Sequence, residues 1–541
     1  MNEPGTTMPV LDLVIIAVYI VMILAFGLLS VRKMKLSSQQ YFLAGKSLPW
    51  ILVGAALFSA NISTIHLVGL AASGYNEGLV WGNFEWMATF CLIILSLVFT
   101  PFYFRTKIST LPEFLEKRYS KGARLIVAVM AITAALFIHI GMSIYAGAIV
   151  FKRFFGISVI TSIVIISIVT AIYTVLGGLK AVVVTESIQT VILILGAIIV
   201  TVYCVLALPA HGITSWGQLK ELLKPGQLSM LHTNSQVGLN WYAVFLGYPV
   251  LGIWYWCTDQ TIVQRVLGSR TERDAQLGPL FAGLLKITPV FIMVLPGALG
   301  YVLFRDMIGT NANETLPVLI IKLIPTGVRG LIAAGLLAAL MSTISAALNS
   351  AAALFAIDIV KSIKPRISDR SQVNIGRICS VLIMILAIVW STQAGRYSSI
   401  FEAINAIASD LAPPITAVFL WGVLWKRGTK QAALLTLIIG FLMGITAFII
   451  DLPVFGTKKM ITQGLGIHFM MQAWWMFVIC SVVFITVSLM TPKPEARTIE
   501  GLTWKKPKEI LTGKVFAGLS DQRLWASFLF LLMVALYFIF R

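Results

Sequence analysis

Residues 48–74 read LPWILVGAALFSANISTIHLVGLAASG. The stretch is long enough to cross a bilayer, which takes about 20 residues. Its middle, SANISTIH, sets Ser59, Asn61, Ser63, Thr64 and His66 into an otherwise apolar run. Backbone at membrane depth gives up helical hydrogen bonds only where protein or a lined cavity replaces them, and the carbonyls freed there can bind cations. Residues 246–267, LGYPVLGIWYWCTDQTIVQRVL, are similar, with Gly247, Pro249 and Gly252 at the centre of a second apolar run. Interrupted helices in corresponding positions of two halves mark a transporter whose site lies at the midplane. Five spans counted from each break give an inverted five-helix repeat, 49–208 and 241–425, although the two halves show no residue-level repeat.

Working outward, the hydropathy pattern predicts about 14 spans. They fall at 9–30, 49–73, 78–103, 124–150, 157–176, 183–208, 241–267, 278–304, 330–360, 376–394, 399–425, 431–451, 470–490 and 522–540. The expected fold is all-α and integral to the membrane, one transporter domain over 1–541, with 431–541 as peripheral helices. Composition agrees: 58% of residues are hydrophobic and 12% charged, and mean hydropathy is +0.91. The longest connections, 209–240, 305–329, 361–375 and 491–521, are too short for a further domain of ordinary size.

The net charge of +19 raises the question of a nucleic-acid partner, but Lys and Arg form no basic domain. They collect in alternate loops, among them Arg32, Lys33, Lys35, Arg105, Lys107, Lys117, Arg118, Lys361, Lys364, Arg366, Lys505, Lys506 and Lys508. The positive-inside rule places those loops in the cytoplasm and both termini outside, in a plasma membrane or bacterial inner membrane. MNEPGTTMPVLD has no basic n-region, so the first span is expected to be retained. Cys91, Cys204, Cys257, Cys379 and Cys480 fall in expected spans without metal or disulfide spacing. Asn313-Glu-Thr315 is a glycosylation sequon in an expected outside loop.

Two charges fall inside apolar runs: Lys286 in LFAGLLKITPVFIMVLPGALG and Glu85 in LVWGNFEWMATFCLIILSLVF. Each costs about 2.5 to 3.5 kcal/mol at the bilayer centre by insertion scales, so such residues usually line a polar path or pair with each other. Both readings, solute ligands and structural ion pair, stand at this point.

Taken together, YFLAGKSLPW, SANISTIHLVGLAASGY, FEWM, EFLEKRY, GGLKAVVVTESIQT, WYWCTDQTIVQR, LLKITPVFIMVLPG, MSTISAALNSAAALFAIDI and PPITAVFLWGVLWKR resemble the sodium/solute symporters, in particular the sodium/glucose cotransporters. The resemblance runs from residue 41 to about 426 and implies a LeuT-like fold with Na+ as coupling ion. It implies a sodium site of the Ser59, Ile62 and Ala339 carbonyls with the Ser342 and Thr343 hydroxyls. Neutral oxygens suit a hard cation that must also leave, although membrane Ser and Thr also bond back to their own helix. A second sodium locus would use Thr185, Glu186 and Ser345, with Glu186 where the family has Asp; the alternative is a solvated Glu186 near the cytoplasmic helix end.

For the solute, the resemblance implies Asn61, His66, Glu85, Tyr255, Trp256, Lys286 and Asn405. Acceptors, donors, amides and aromatic faces together suit a sugar or related polyol. Asn405 replaces a usual Gln and Gly252 a usual small polar residue. His66 is also readable as a satisfied buried histidine, and Trp254, Tyr255 and Trp256 as packing aromatics. Leu70, Phe84 and Phe401 match an outer apolar gate and Tyr255 an inner one. The expected activity is sodium-coupled sugar uptake by alternating access. Symport of inositol, an amino sugar, a vitamin or another organic solute is the alternative within the class, and a solute sensor the alternative outside it. HExxH, GxSxG and P-loop motifs are absent, which argues against an enzyme.

Overall fold

Lipid offers no hydrogen bonds to a peptide group, so long apolar runs close their backbone bonds as helix. The computed structural model describes residues 9–30, 37–234, 238–392, 400–451, 460–504, 509–512, 518 and 521–541, apart from the side chains of 64, 65, 153–155, 400–403 and 512. Arg32, Lys33, Lys35, Lys505, Lys506, Lys508 and the Phe401 side chain therefore lie outside the described residues.

Helix α1 is Val10–Leu29; the first interrupted run forms α2, Trp50–Asn61, and α3, Thr64–Asn76. Next come α4 (Asn83–Ile94), α5 (Lys121–Ala134) and α6 (Val159–Ala207). The second interrupted run yields α7 (Trp241–Gly252) and α8 (Gln260–Leu267), followed by α9 (Glu272–Leu285), α10 (Leu295–Ile308) and α11 (Val328–Ala353). The chain closes with α12 (Asp369–Ser391), α13 (Ile400–Leu424), α14 (Lys430–Ile450), α15 (Phe469–Met490) and α16 (Gln522–Ile539).

By length and apolarity, the described residues hold 11 helices able to cross a membrane, or up to 12 if the bent pair 50–61 and 66–76 is one span. The expected 14 is not reached by this measure. Spans 157–176 and 183–208 join in α6, which departs from helical geometry at Gly178 (φ 60°, ψ −158°), and 241–267 divides into shorter pieces.

Helix α11 is the centre of the packing, buried without interruption from Ile332 to Ala353. Its Ala, Ser and Gly side chains allow close approach by α6, α1 and α2. Asp12 of α1 anchors one end of α11, its Oδ1 accepting from the Gly327 and Gly330 amides at 2.7 Å each. Helices α3 and α10 meet backbone to backbone: a Cβ on Gly297 would stand 2.0 Å from the Ala71 carbonyl oxygen. Outward-facing residues such as Ile160, Leu206, Val389 and Phe538 are exposed and apolar, which matches a lipid surround. Arg118, counted above among loop cations, is buried instead; its guanidinium donates to the carbonyls of Gly422, Trp425 and Gly428, satisfying the C-terminal end of α13.

Candidate sodium and solute site

The first helix break falls where the polar residues interrupt the apolar run. Asn61 closes α2, Ile62 (φ −74°, ψ 107°) and Ser63 (φ −104°, ψ 171°) are extended, and α3 leaves at 62° to α2. His66 belongs to this turn. Its Nδ1 accepts from the Ser63 amide at 3.3 Å and lies 3.0 Å from Ser63 Oγ, a reciprocal cap on the new helix. With Nδ1 as acceptor, a neutral His66 carries its proton on Nε2. The capping and cavity-lining readings of His66 thus hold together, because the same ring also lines the central cavity.

Helix α11 presents two hydroxyls to the break. Ser342 Oγ lies 2.8 Å from the Ser59 carbonyl and 2.9 Å from that of Ala339, while Thr343 Oγ1 lies 3.2 Å from the carbonyls of both Ala60 and Ala339. The back-bonding expected of membrane Ser and Thr is present, but the same oxygens also reach across to α2. Five neutral oxygens thus converge at one helix junction, and rotation of the two hydroxyl protons would leave them facing a small hard cation. Ser59, Ala339, Ser342 and Thr343 are brought together as expected; the carbonyl beside Thr343 is that of Ala60, whereas no hydrogen bond among the described residues joins the Ile62 carbonyl to either hydroxyl. The register in which an unwinding helix end presents its carbonyls is a matter of φ and ψ, which residue types do not specify.

Glu186 is neither solvated nor open. It is fully buried, and Arg265 of α8 grips both carboxylate oxygens, at 2.5 and 3.0 Å. Thr185 Oγ1 turns back to the Ala181 and Val182 carbonyls, and Ser345 Oγ to that of Ser342. The three residues do not form an oxygen cluster like that at Ser342, and the charge of Glu186 is already matched.

Beside the break lies a cavity of about 120 Å³, lined by Asn61, His66, Glu85, Tyr255, Trp256 and Asn405 among others. Phe84 and Trp254 also line it. Lys286 does not. Only 1% exposed, its ammonium lies behind the wall, bonded to Asn61 Oδ1 and at 2.5 Å to Glu85 Oε2, with the Trp256 ring centroid 5.3 Å away. Lys286 and Glu85 form the ion pair of the second reading, and Lys286 is not among the residues that line the cavity. Of the gate residues, Phe84 and Tyr255 reach the cavity; Leu70 is fully buried and does not line it. Phe84 is stacked on Trp81, and its carbonyl accepts from Tyr248 Oη at 2.7 Å.

Tyr248 and Cys91 also explain Gly252. A Cβ there would meet Cys91 Sγ at 2.5 Å and Tyr248 Cε1 at 2.7 Å, so the space of a small polar side chain is already filled. The cavity also includes His139, Ser143 and Tyr248, which the sequence reading passed over. His139 carried a usable signal: like Lys286, it is an ionisable residue inside an apolar span.

The chain matches the sodium:solute symporter family over residues 41–440. It belongs to that family. As a sodium-coupled solute symporter, it is 32% identical to the sodium/mannose cotransporter of Bos taurus, over 93% of this chain and 90% of the relative. It is 33% identical to sodium/glucose cotransporter 1 of Ovis aries, over 90% and 79% of the two chains, and 32% identical to sodium/myo-inositol cotransporter 2 of Homo sapiens, over 93% and 79%. The symporter also shares its LeuT-like fold with a Na+-coupled sialic acid symporter solved in a substrate-bound outward-open state. The TM-score is 0.75 at 19% identity, with 90% of this chain and 99% of that one covered. These relatives are transporters, and the symporter is a multi-pass membrane protein whose coupling ion is Na+.

Proposed function

We propose that the symporter couples inward sodium movement to uptake of a neutral sugar or closely related polyol. The observation that carries this reading is one cavity in which Asn61, His66, Glu85 and Asn405 face the same space as Trp254, Tyr255 and Trp256, directly beside the helix break that meets Ser342 and Thr343. Polar groups that both donate and accept, next to flat apolar rings, match the alternating hydroxyl edges and apolar faces of a pyranose. Lys286 acts through Asn61 and Glu85, holding their oxygens in place and cancelling the carboxylate charge, so the wall favours an uncharged solute. The similarity to glucose, mannose and myo-inositol cotransporters supports the same class.

In this reading Na+ binds among the Ser59, Ala60 and Ala339 carbonyls and the Ser342 and Thr343 hydroxyls, locking α2 to α11 and completing the wall that includes Asn61. Sodium then raises solute affinity, and by linkage the solute raises sodium affinity equally. One charge entering across 100 mV contributes about 2.3 kcal/mol from the potential. Phe84 and Tyr255 close the cavity on either side, the two interrupted helices belong to two inverted repeats, and both termini face outward.

The test is uptake into proteoliposomes, with and without an inward sodium gradient, of D-glucose, D-mannose, myo-inositol and the amino acid L-proline. Sodium-dependent accumulation of a hexose or inositol is expected. Accumulation of proline alone would overturn the polyol reading and leave the sodium coupling intact.

A further inference from the structure

A run of cations lies where α11 leads into α12, far from the central cavity. Residues 361–377 carry Lys361, Lys364, Arg366, Arg370 and Arg377 against one acid, Asp369, whose Oδ2 accepts from the Ser38 amide at 3.4 Å. Lys361, Lys364, Arg366 and Arg370 are exposed, as solvated loop cations should be. Arg377 differs. It stands about 12 Å along α12 from Asp369 by the helical rise, and Ile378 and Leu382 beside it are apolar and exposed, at 61% and 56%. A guanidinium is thus placed where headgroups meet acyl chains.

Its surroundings come from the break in α6. Gly178 (φ 60°, ψ −158°) interrupts that helix, and two carbonyls before it take side-chain donors: Val175 accepts from Tyr41 Oη at 2.8 Å and Leu176 from Arg377 Nη2 at 3.2 Å. The guanidinium carbon lies 5.4 Å from the Tyr41 ring centroid. Leu176 and Ile172, one turn before it, are exposed on the same helix. Of the Arg377 donors, one is matched by a carbonyl, Nε is buried without a partner, and no carboxylate among the described residues pairs with the charge. An unmatched cation beside hydrocarbon is costly and is relieved by an anion that shares its depth. Solvent ions reach the exposed loop cations; a lipid phosphate reaches the seam where α6 and α12 pack side by side. Arginine suits a phosphate because its planar fork meets two oxygens at once, and Lys180, half-buried just past the break, adds a cation on the α6 side.

We propose that the seam between α6 and α12 binds the headgroup of an anionic phospholipid. Arg377 grips the phosphate, Lys180 and Arg370 supply further positive charge, and the acyl chains lie over Leu176, Ile172, Ile378 and Leu382. Basic clefts between membrane helices hold acidic headgroups in this way. The bound lipid steadies the break at Gly178, and with it α6, which packs along α11. The site is independent of which solute the symporter carries.

The experiment uses the full-length protein in a neutral detergent, with short-chain phosphatidylglycerol as probe and melting temperature as readout. A ligand of the native state raises stability along a saturating curve. Phosphatidylglycerol should give such a curve, and short-chain phosphatidylcholine at equal concentration should give little change. Equal curves for the two lipids would overturn the role of charge, and an equal effect of glycerol phosphate would assign the site to a free phosphate and overturn the lipid. Arg377→Gln should raise the half-saturating phosphatidylglycerol concentration about tenfold, whereas Arg366→Gln, in the same basic run, should leave it within about twofold. No shift in Arg377→Gln, or the same shift in both variants as diffuse attraction would give, would overturn a built site. Because Arg377→Gln also loses its bond to Leu176, half-saturation is compared and not melting temperature in the absence of lipid. Should Arg377→Gln fail to fold, Arg377→Lys keeps the charge and loses the fork. Its half-saturation should rise about threefold, and a wild-type value would overturn the grip of Arg377 on the phosphate.

Discussion

Ser342 Oγ lies 2.8 Å from the Ser59 carbonyl oxygen, so a hydroxyl of the central helix α11 sits on the last turn of the broken helix α2. Residues 283 positions apart in the chain thereby share one junction. A cation bound there reports directly on whether the two helices are together, which is the property that coupling requires.

Replacing Thr343 by Ala removes one oxygen of that junction and leaves the cavity lining otherwise intact. Sodium half-saturation for uptake should rise tenfold or more, a loss of about 1.4 kcal/mol or greater, while the solute KM extrapolated to saturating sodium changes little. Ser342→Ala should behave alike. Paired sodium titrations of uptake check this, and a wild-type sodium curve in a well-folded variant would exclude the site.

The buried pair Lys286 and Glu85 predicts a different pattern. Lys286→Ala strands a carboxylate, and Glu85→Ala an ammonium; breaking a fully buried pair costs about 3 to 5 kcal/mol. Both single variants should therefore melt well below wild type in detergent. The double variant Lys286→Met with Glu85→Gln should regain most of the stability without regaining solute affinity, because Asn61 loses the donor that positions it. A double variant with wild-type KM would show that neither side chain shapes the solute site.

Arg265 holds Glu186 by two hydrogen bonds in a fully buried setting. Glu186→Ala should lower thermal stability sharply by leaving the guanidinium unpaired, with Arg265→Met in the same chain restoring much of it. Because both carboxylate oxygens are engaged, a stoichiometry of one sodium per solute is expected, measured from reversal potentials. A ratio of two that drops to one in Glu186→Ala would instead make Glu186 a cation ligand.

Gly252→Ser tests the packing around the cavity floor. The new Cβ would meet Cys91 Sγ and the Tyr248 ring well inside contact distance, and overpacking of this kind costs about 1 to 3 kcal/mol. Uptake and melting temperature should both fall, and Cys91→Gly in the same chain should recover part of each. Normal transport by Gly252→Ser alone would mean that Tyr248 moves aside freely.

The residue types and their order were enough to determine the class of the molecule. Apolar runs of membrane length dictate helices because lipid leaves the backbone no other partner, and SANISTIH marks the break because polar residues at that depth need a protein or ionic partner. The same order carried the family, and it singled out residues that the fold does bring near one another: Ser59, Ser342 and Thr343 meet at one junction, and Asn61, His66, Glu85 and Asn405 share a cavity. What tertiary structure alone decided are matters of distance and facing. Lys286 stands behind the wall because Glu85 and Asn61 satisfy it there; Glu186 is matched by Arg265 from another helix; Ala60 presents the carbonyl beside Thr343 because of where α2 unwinds. His139 enters the cavity through a widened turn that its sequence does not announce. Composition decides whether a side chain can be solvated by lipid, water or protein, whereas only the packing of distant helices decides which partner a buried charge or carbonyl meets.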